Sequence, residues 1–118
     1  MILEGQMYSK ANSRQLVFNK RTRKPMVIKN AKALKAMDDF ILQMKAQWNY
    51  RDPMAGPIRL IAVIYYQSNR SDLDDSLLCD CLQKAKLILN DNQLVEKVLT
   101  KRIDPKNPRV EFSLVPIE

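Results

Sequence analysis

Three carboxylates within four positions stand out in an otherwise basic chain. They lie in Asn69-Arg70-Ser71-Asp72-Leu73-Asp74-Asp75, and Asp91 follows sixteen residues later. Side chains of an extended segment alternate with period two, so Asp72 and Asp74 point to one side and could share a divalent cation. Like-charged carboxylates held close together repel unless a proton or a metal lies between them. Oxygen ligands without sulfur or imidazole suit Mg²⁺, with Mn²⁺ as the other candidate, rather than zinc. The same residues serve equally as helix caps, because aspartate satisfies free N–H groups and meets the positive end of the helix dipole. A calcium loop of the EF-hand kind is excluded, since Leu77 and Gln83 occupy the positions that need glycine and glutamate.

Little other chemistry is open to the chain. It contains no histidine, which removes Ser/His/Asp and Cys/His nucleophilic sites and His-ligated zinc. Cys79 and Cys81 stand too close in sequence for an ordinary disulfide and are too few for a structural zinc site, so they are expected to be reduced, partly buried thiols. Two glycines cannot build a phosphate-cradling loop, and no organic cofactor is expected.

The net charge of +7 is unevenly spread. Residues 1–50 carry ten basic and three acidic side chains, whereas residues 51–118 carry ten of each. Arg14, Lys20, Arg21, Arg23, Lys24, Lys29, Lys32 and Lys35 follow one another without an intervening acid. Such a segment is either a solvated basic face or a surface for a polyanion such as a nucleic-acid backbone.

The elements that must position these groups fit one domain spanning 1–118. Gln15 to Asn19 and Met26 to Lys29 are short apolar-centred segments flanking Lys20-Arg21-Thr22-Arg23-Lys24-Pro25, a basic loop or hairpin tip that Pro25 ends. From Asn30, Leu34, Met37, Ile41, Met44 and Trp48 recur at spacings of three and four and predict an amphipathic helix. Arg51 to Pro57 is a turn, and Ile58 to Tyr66 is a largely buried strand. A second helix is expected from Asp72 to about Leu89, then a turn at Asn90-Asp91-Asn92. Leu94 to Thr100 and Arg109 to Val115 are strands, most simply an antiparallel pair joined by Asp104 to Pro108. The result is a small α+β domain with a mixed or antiparallel sheet backed by two helices. The longest apolar run, Leu60 to Tyr66, is too short to cross a bilayer, and Glu4 interrupts any signal-like start, so neither membrane nor export is expected.

Taken together, Arg70-Ser71-Asp72-Leu73-Asp74-Asp75 and Leu89-Asn90-Asp91-Asn92-Gln93-Leu94-Val95 resemble the paired acidic motifs of the RusA family of Holliday-junction resolvases. Asn12-Ser13-Arg14, the basic loop and the following helix are similar more loosely. The resemblance spans nearly the whole chain, and only the acidic motifs are specific. It implies a cytoplasmic bacterial or phage enzyme, a homodimer of mixed α/β subunits that nicks symmetric strands of a four-way DNA junction in recombination and repair. Mg²⁺ would be held by the matching Asp72, Asp74 and Asp91. Two positions depart from the family. Leu78 stands where a lysine is usual, with Lys101 the candidate to replace it, and Asp75 stands where an asparagine is usual, read here as a cap.

On that reading metal polarises the scissile phosphate and lowers the pKa of the attacking water. Arg14, Lys20, Arg21, Arg23, Lys24, Arg70 and Lys101 would contact DNA, giving salt-dependent affinity with little sequence selection. The alternatives are a protein that binds branched DNA without cutting it, and a basic scaffold for an acidic protein.

Overall fold

The computed structural model describes residues 1–8, 14–19, 24–29, 31–49 and 51–117, and for 14–19 and 24–29 it describes the backbone alone. The elements are β1 (Ile2–Glu4), β2 (Arg14–Asn19), β3 (Lys24–Lys29), α1 (Ala31–Trp48), β4 (Ile58–Tyr66), α2 (Ser76–Lys84), a 3₁₀ turn (Asp91–Gln93), β5 (Leu94–Ile103) and β6 (Arg109–Pro116). A mixed four-stranded sheet has the order β1-β6-β4-β5, and β2 and β3 form a separate antiparallel ribbon. The chain is thus α+β, with two helices backing a mixed sheet.

β4 organises the sheet. Its burial alternates, with Ile58, Leu60, Ala62, Ile64 and Tyr66 sealed in the core and the odd positions more open. The strand is therefore buried on one face, not on both, because α1 and α2 cover only the even side. Met37, Phe40, Met44, Leu77, Leu78 and Leu82 fill that side together with Leu3, Val110 and Phe112.

Several expectations are corrected. β5 and β6 do not pair with each other: β5 runs parallel to β4 on one side, and β6 lies antiparallel on the other. Their connection passes the end of β4, where the Asp104 N–H donates to Tyr66 O at 2.8 Å. In the ribbon, Lys24 and Pro25 belong to β3 instead of the loop, with Pro25 opposite Phe18. A two-stranded ribbon has only edges, so a residue without an N–H is tolerated there.

α1 turns most of the expected stripe inward, with Ile41 and Trp48 partly buried against the core, but it is rolled toward Ala33 and Phe40. Ala33, Met37, Phe40 and Met44 are buried, while Leu34 is exposed. The cause is β1, whose backbone at Ile2 and Glu4 is held by Gln43 and Gln47. Gln43 Nε2 donates to Glu4 O at 2.8 Å and Gln47 Nε2 to Ile2 O at 2.7 Å, which sets the roll of the helix.

α2 is shorter than the periodicity suggests. Asp72 to Asp75 remain in the loop, and the helix closes in a Schellman arrangement. The Leu87 N–H donates to Leu82 O at 3.0 Å and the Lys86 N–H to Gln83 O at 3.1 Å, with Lys86 in the left-handed region at φ 62°. Both cysteines are free and buried, as expected. Among the described residues no helix is long and apolar enough to cross a membrane.

Candidate functional site

The acidic segment forms where β4 hands over to α2. Tyr66 ends β4 fully buried, and its hydroxyl oxygen accepts the Asp74 N–H at 3.2 Å, pinning the loop to the sheet. Asp74 Oδ1 accepts the Ser76 N–H at 2.8 Å, so Asp74 caps the start of α2. Asp75 holds the N-cap position but makes no capping bond. Its φ of −101° and ψ of 4° depart from the extended geometry that folds a cap side chain over the first turn. The capping role expected of Asp75 is therefore taken by Asp74. Asp75 Oδ2 instead meets Lys97 Nζ at 3.0 Å and the Cys79 thiol at 3.3 Å.

Asp91 is positioned by its neighbours. Asn90 and Gln93 form a capping box around the 3₁₀ turn. Asn90 Oδ1 accepts the Asn92 N–H at 3.0 Å, and Gln93 Oε1 accepts the Leu89 and Asn90 N–H groups at 2.7 and 2.9 Å. The Asp91 N–H donates to Gln83 Oε1 at 3.2 Å, which fastens the turn to the flank of α2. Asp91 and Asp72 are both exposed.

Electrostatics divides the acids into two overlapping groups. Burial raises the Tyr66 phenol above its ordinary value, and the charges of Asp74, Asp72 and Asp75 add to the rise while the Asp74 backbone N–H opposes it. Burial pushes the Cys79 thiol up to about 12, helped by the charge and hydrogen bond of Asp75 and, more weakly, by Asp91. Asp75 thus belongs to both neighbourhoods, with Asp72 and Asp74 on one side and Asp91 on the other. Burial alone would lower Lys97, but the Asp75 carboxylate outweighs it and holds the ammonium above its usual value.

Among the described residues no three acidic or thiol side chains stand close enough to hold a metal ion. Asp72, Asp74 and Asp91 therefore do not form a preassembled three-carboxylate cage. Mg²⁺ commonly binds through one or two carboxylates, completed by water and substrate phosphate. Exposed Asp72, beside Asp74, fits that smaller role.

Leu78 is fully buried, so a side chain at this point of α2 enters the core. The cation that meets the acidic segment is Lys97, which the sequence reading missed. Lys101 Nζ donates to Asn69 O at 3.3 Å and lies 5.9 Å from the centre of the Tyr66 ring, so it supports the backbone of the acidic loop. Lys97 and Lys101 share the helix-side face of β5, and their spacing of four in a strand is the signal that could have paired them. Arg70 is exposed at the loop's crest. Arg14 opens β2 and Lys24 opens β3, whereas Lys20, Arg21 and Arg23 lie outside the described residues. No protein-family model matches the chain, and no curated protein sequence matches it.

Proposed function

We propose that the chain is a Mg²⁺-dependent endodeoxyribonuclease that nicks four-way DNA junctions, in the manner of the RusA-family resolvases its motifs resemble. The observation that carries this reading is the run of acids along one flank of α2, Asp72 to Asp75 and then Asp91, with Lys97 and Lys101 beside it. The basic surplus of the first fifty residues would bring an anionic backbone to that flank. A bound divalent ion would polarise the scissile phosphate and acidify its water. Asp72 and Asp91 would orient that ion and the substrate, Asp74 would hold the loop in shape through Ser76, and Arg70 would contact a neighbouring phosphate.

The homodimer belongs to the same proposal, and the odd face of the sheet supports it. No described helix covers this face. Ile61 is 38% and Val98 53% exposed there, bordered by Ile2, Val63 and Val115. Its charges are three glutamates, Glu4, Glu96 and Glu111, and three arginines, Arg59, Arg102 and Arg109, with no lysine. A neutral, lysine-free patch on a +7 chain is where a second copy can approach without like-charge repulsion.

The absence of a preassembled cage among the described residues, and the buried leucine at 78, favour one second reading: binding of branched DNA without cutting. A labelled four-way junction incubated with increasing Mg²⁺ decides between them. Paired nicks that vanish in Asp72→Asn and Asp91→Asn, with junction binding retained, support the nuclease. Tight, salt-sensitive binding without nicks supports the binder, and neither outcome leaves a basic scaffold for an acidic protein.

A further inference from the structure

We infer that the hollow between the end of α1, the segment after it and the end of α2 binds one unpaired nucleotide, with its base on the apolar wall and its phosphate on Lys45 and Lys86. The hollow has a volume of about 260 Å³ and is lined by Lys45, Trp48, Arg51, Pro53, Ala85 and Lys86. It lies at the opposite end of α2 from Asp75, and neither Asp91 nor any of Asp72 to Asp75 lines it. The inference shares with the proposed function only the class of ligand.

Three of the six lining residues are cationic and none is acidic. The guanidinium of Arg51 is stacked 4.0 Å from the centre of the Trp48 ring, and its Nε donates to Trp48 O at 3.0 Å. That bond answers a carbonyl at the negative end of α1. Lys45 and Lys86 both line the hollow and form no ion pair among the described residues. The walls between them, Pro53, Ala85 and the indole, are apolar and partly flat. A ligand matching both halves has a planar body and an attached anion, which describes a nucleotide better than a carboxylate or a bare phosphate. Bases stack on aromatic rings irrespective of sequence, while cations track the backbone. A base paired inside a duplex cannot enter such a hollow, so the strand must be single there.

Two local costs point to use of the hollow. Lys86 occupies the left-handed position closing α2, where glycine is the unstrained choice. The chain therefore keeps a cation at that point against its backbone preference. The indole N–H of Trp48 is sealed from solvent with no acceptor among the described residues. A small rotation of the ring on ligand entry would bring it an acceptor from the base.

Trp48 is the only tryptophan and lines this hollow, and because it also borders a second one with Met1, Met54 and Phe112, the Lys45 and Lys86 variants are what tie its fluorescence to the first. The test titrates the full chain, in EDTA, with a short oligothymidylate, thymidine monophosphate, a blunt duplex and inorganic phosphate. Saturable quenching by the oligonucleotide, with none from the duplex, supports the inference. Response to thymidine monophosphate at equal concentration assigns a free nucleotide as the ligand, and response to the strand alone assigns nucleic acid. Lys86→Gly should raise or hold the melting temperature yet weaken binding about tenfold, and Lys45→Glu should weaken it likewise. Asp72→Asn should leave the quenching unchanged, which separates failure of this site from failure of the nuclease reading. An unchanged spectrum with the oligonucleotide, an equal response to inorganic phosphate, or full binding by Lys86→Gly would overturn the assignment.

Discussion

Lys97 Nζ lies 3.0 Å from Asp75 Oδ2 and ties β5, an edge strand of the sheet, to the N-cap of α2. The Asp75 side chain is only 14% exposed, so its charge depends on this partner more than a surface carboxylate would. Removing the cation leaves a largely buried acid with the Cys79 thiol as its side-chain contact among the described residues. Lys97→Met should cost roughly 1–3 kcal/mol, and Asp75→Asn less, because the amide keeps an acceptor for the thiol without a charge to compensate. Urea denaturation of both variants measures the difference, and an equal or reversed order would show that the pair contributes only as an exposed contact.

The buried position of Leu78 makes the departure from the resolvase motif a structural matter. Leu78 packs among Leu77, Leu82 and the even-side residues of β4. Leu78→Lys would place an ammonium in that apolar core, a cost of several kcal/mol. We expect loss of the cooperative thermal transition and no gain of cutting. A folded, more active variant would mean that α2 can roll to present this position to the acidic loop.

The thiol of Cys79 gives the protein an alkaline limit. Its ordinary value of 9.0 is pushed to about 12 by burial and by Asp75. Below pH 9 both folded and unfolded chains keep the proton, so this contribution to stability is fully present. Between pH 9 and 12 only the folded chain keeps it, and stability falls as pH rises through that window. Melting temperature should drop more steeply over this range in the native chain than in Cys79→Ala. At pH 8 the thiolate fraction of Cys79 should be on the order of 10³ lower than for a free thiol, so a disulfide reagent should label it only on unfolding.

These effects show which parts of the molecule were open to sequence reading. β4 was found to the residue because Ile58 to Tyr66 is β-branched and aromatic between Gly56-Pro57 and Gln67-Ser68. Local turn chemistry also reads well: Asn90 and Gln93 stand at capping-box spacing. The ends of α2 are overextended in the sequence reading, since Leu73, Ala85 and Ile88 continue its apolar pattern beyond Ser76–Lys84. The helix stops at a lysine in the left-handed region, which carries no compositional signal. The partner of Asp75 is set by the parallel register of β5 on β4, a relationship between segments far apart in sequence, and no local pattern encodes it.

Gln93 joins three segments with a single amide. Its oxygen accepts the Leu89 and Asn90 N–H groups, and its nitrogen donates to Met54 O at 2.9 Å and Gly56 O at 3.0 Å. Gln93→Ala removes all four bonds and should cost roughly 2–4 kcal/mol. The loss should be local before it is global. Amide exchange at Leu89 and Asn90 should accelerate while that of β4 is kept, and Asp91 should lose its fixed place beside Gln83. Uniform acceleration across the sheet would show instead that this bridge is needed for the whole fold.

The helix-free sheet face yields the test of the dimer. Ile61 lies on the central strand, between Val98 of β5 and Ser113 of β6. At 38% exposure it tolerates a longer side chain without disturbing the core. Ile61→Lys would set like charges against each other across a two-fold interface formed by this face, because an isologous contact brings each substituted patch against its own copy. Light scattering should show a dimer for the native chain and a monomer for Ile61→Lys, with the melting transition of the subunit retained. Leu42→Lys supplies the control, since Leu42 is exposed on α1, away from this face, and its substitution should leave the dimer intact. A native chain that is monomeric, or a dimer that survives Ile61→Lys, would show that the face serves something other than a second copy.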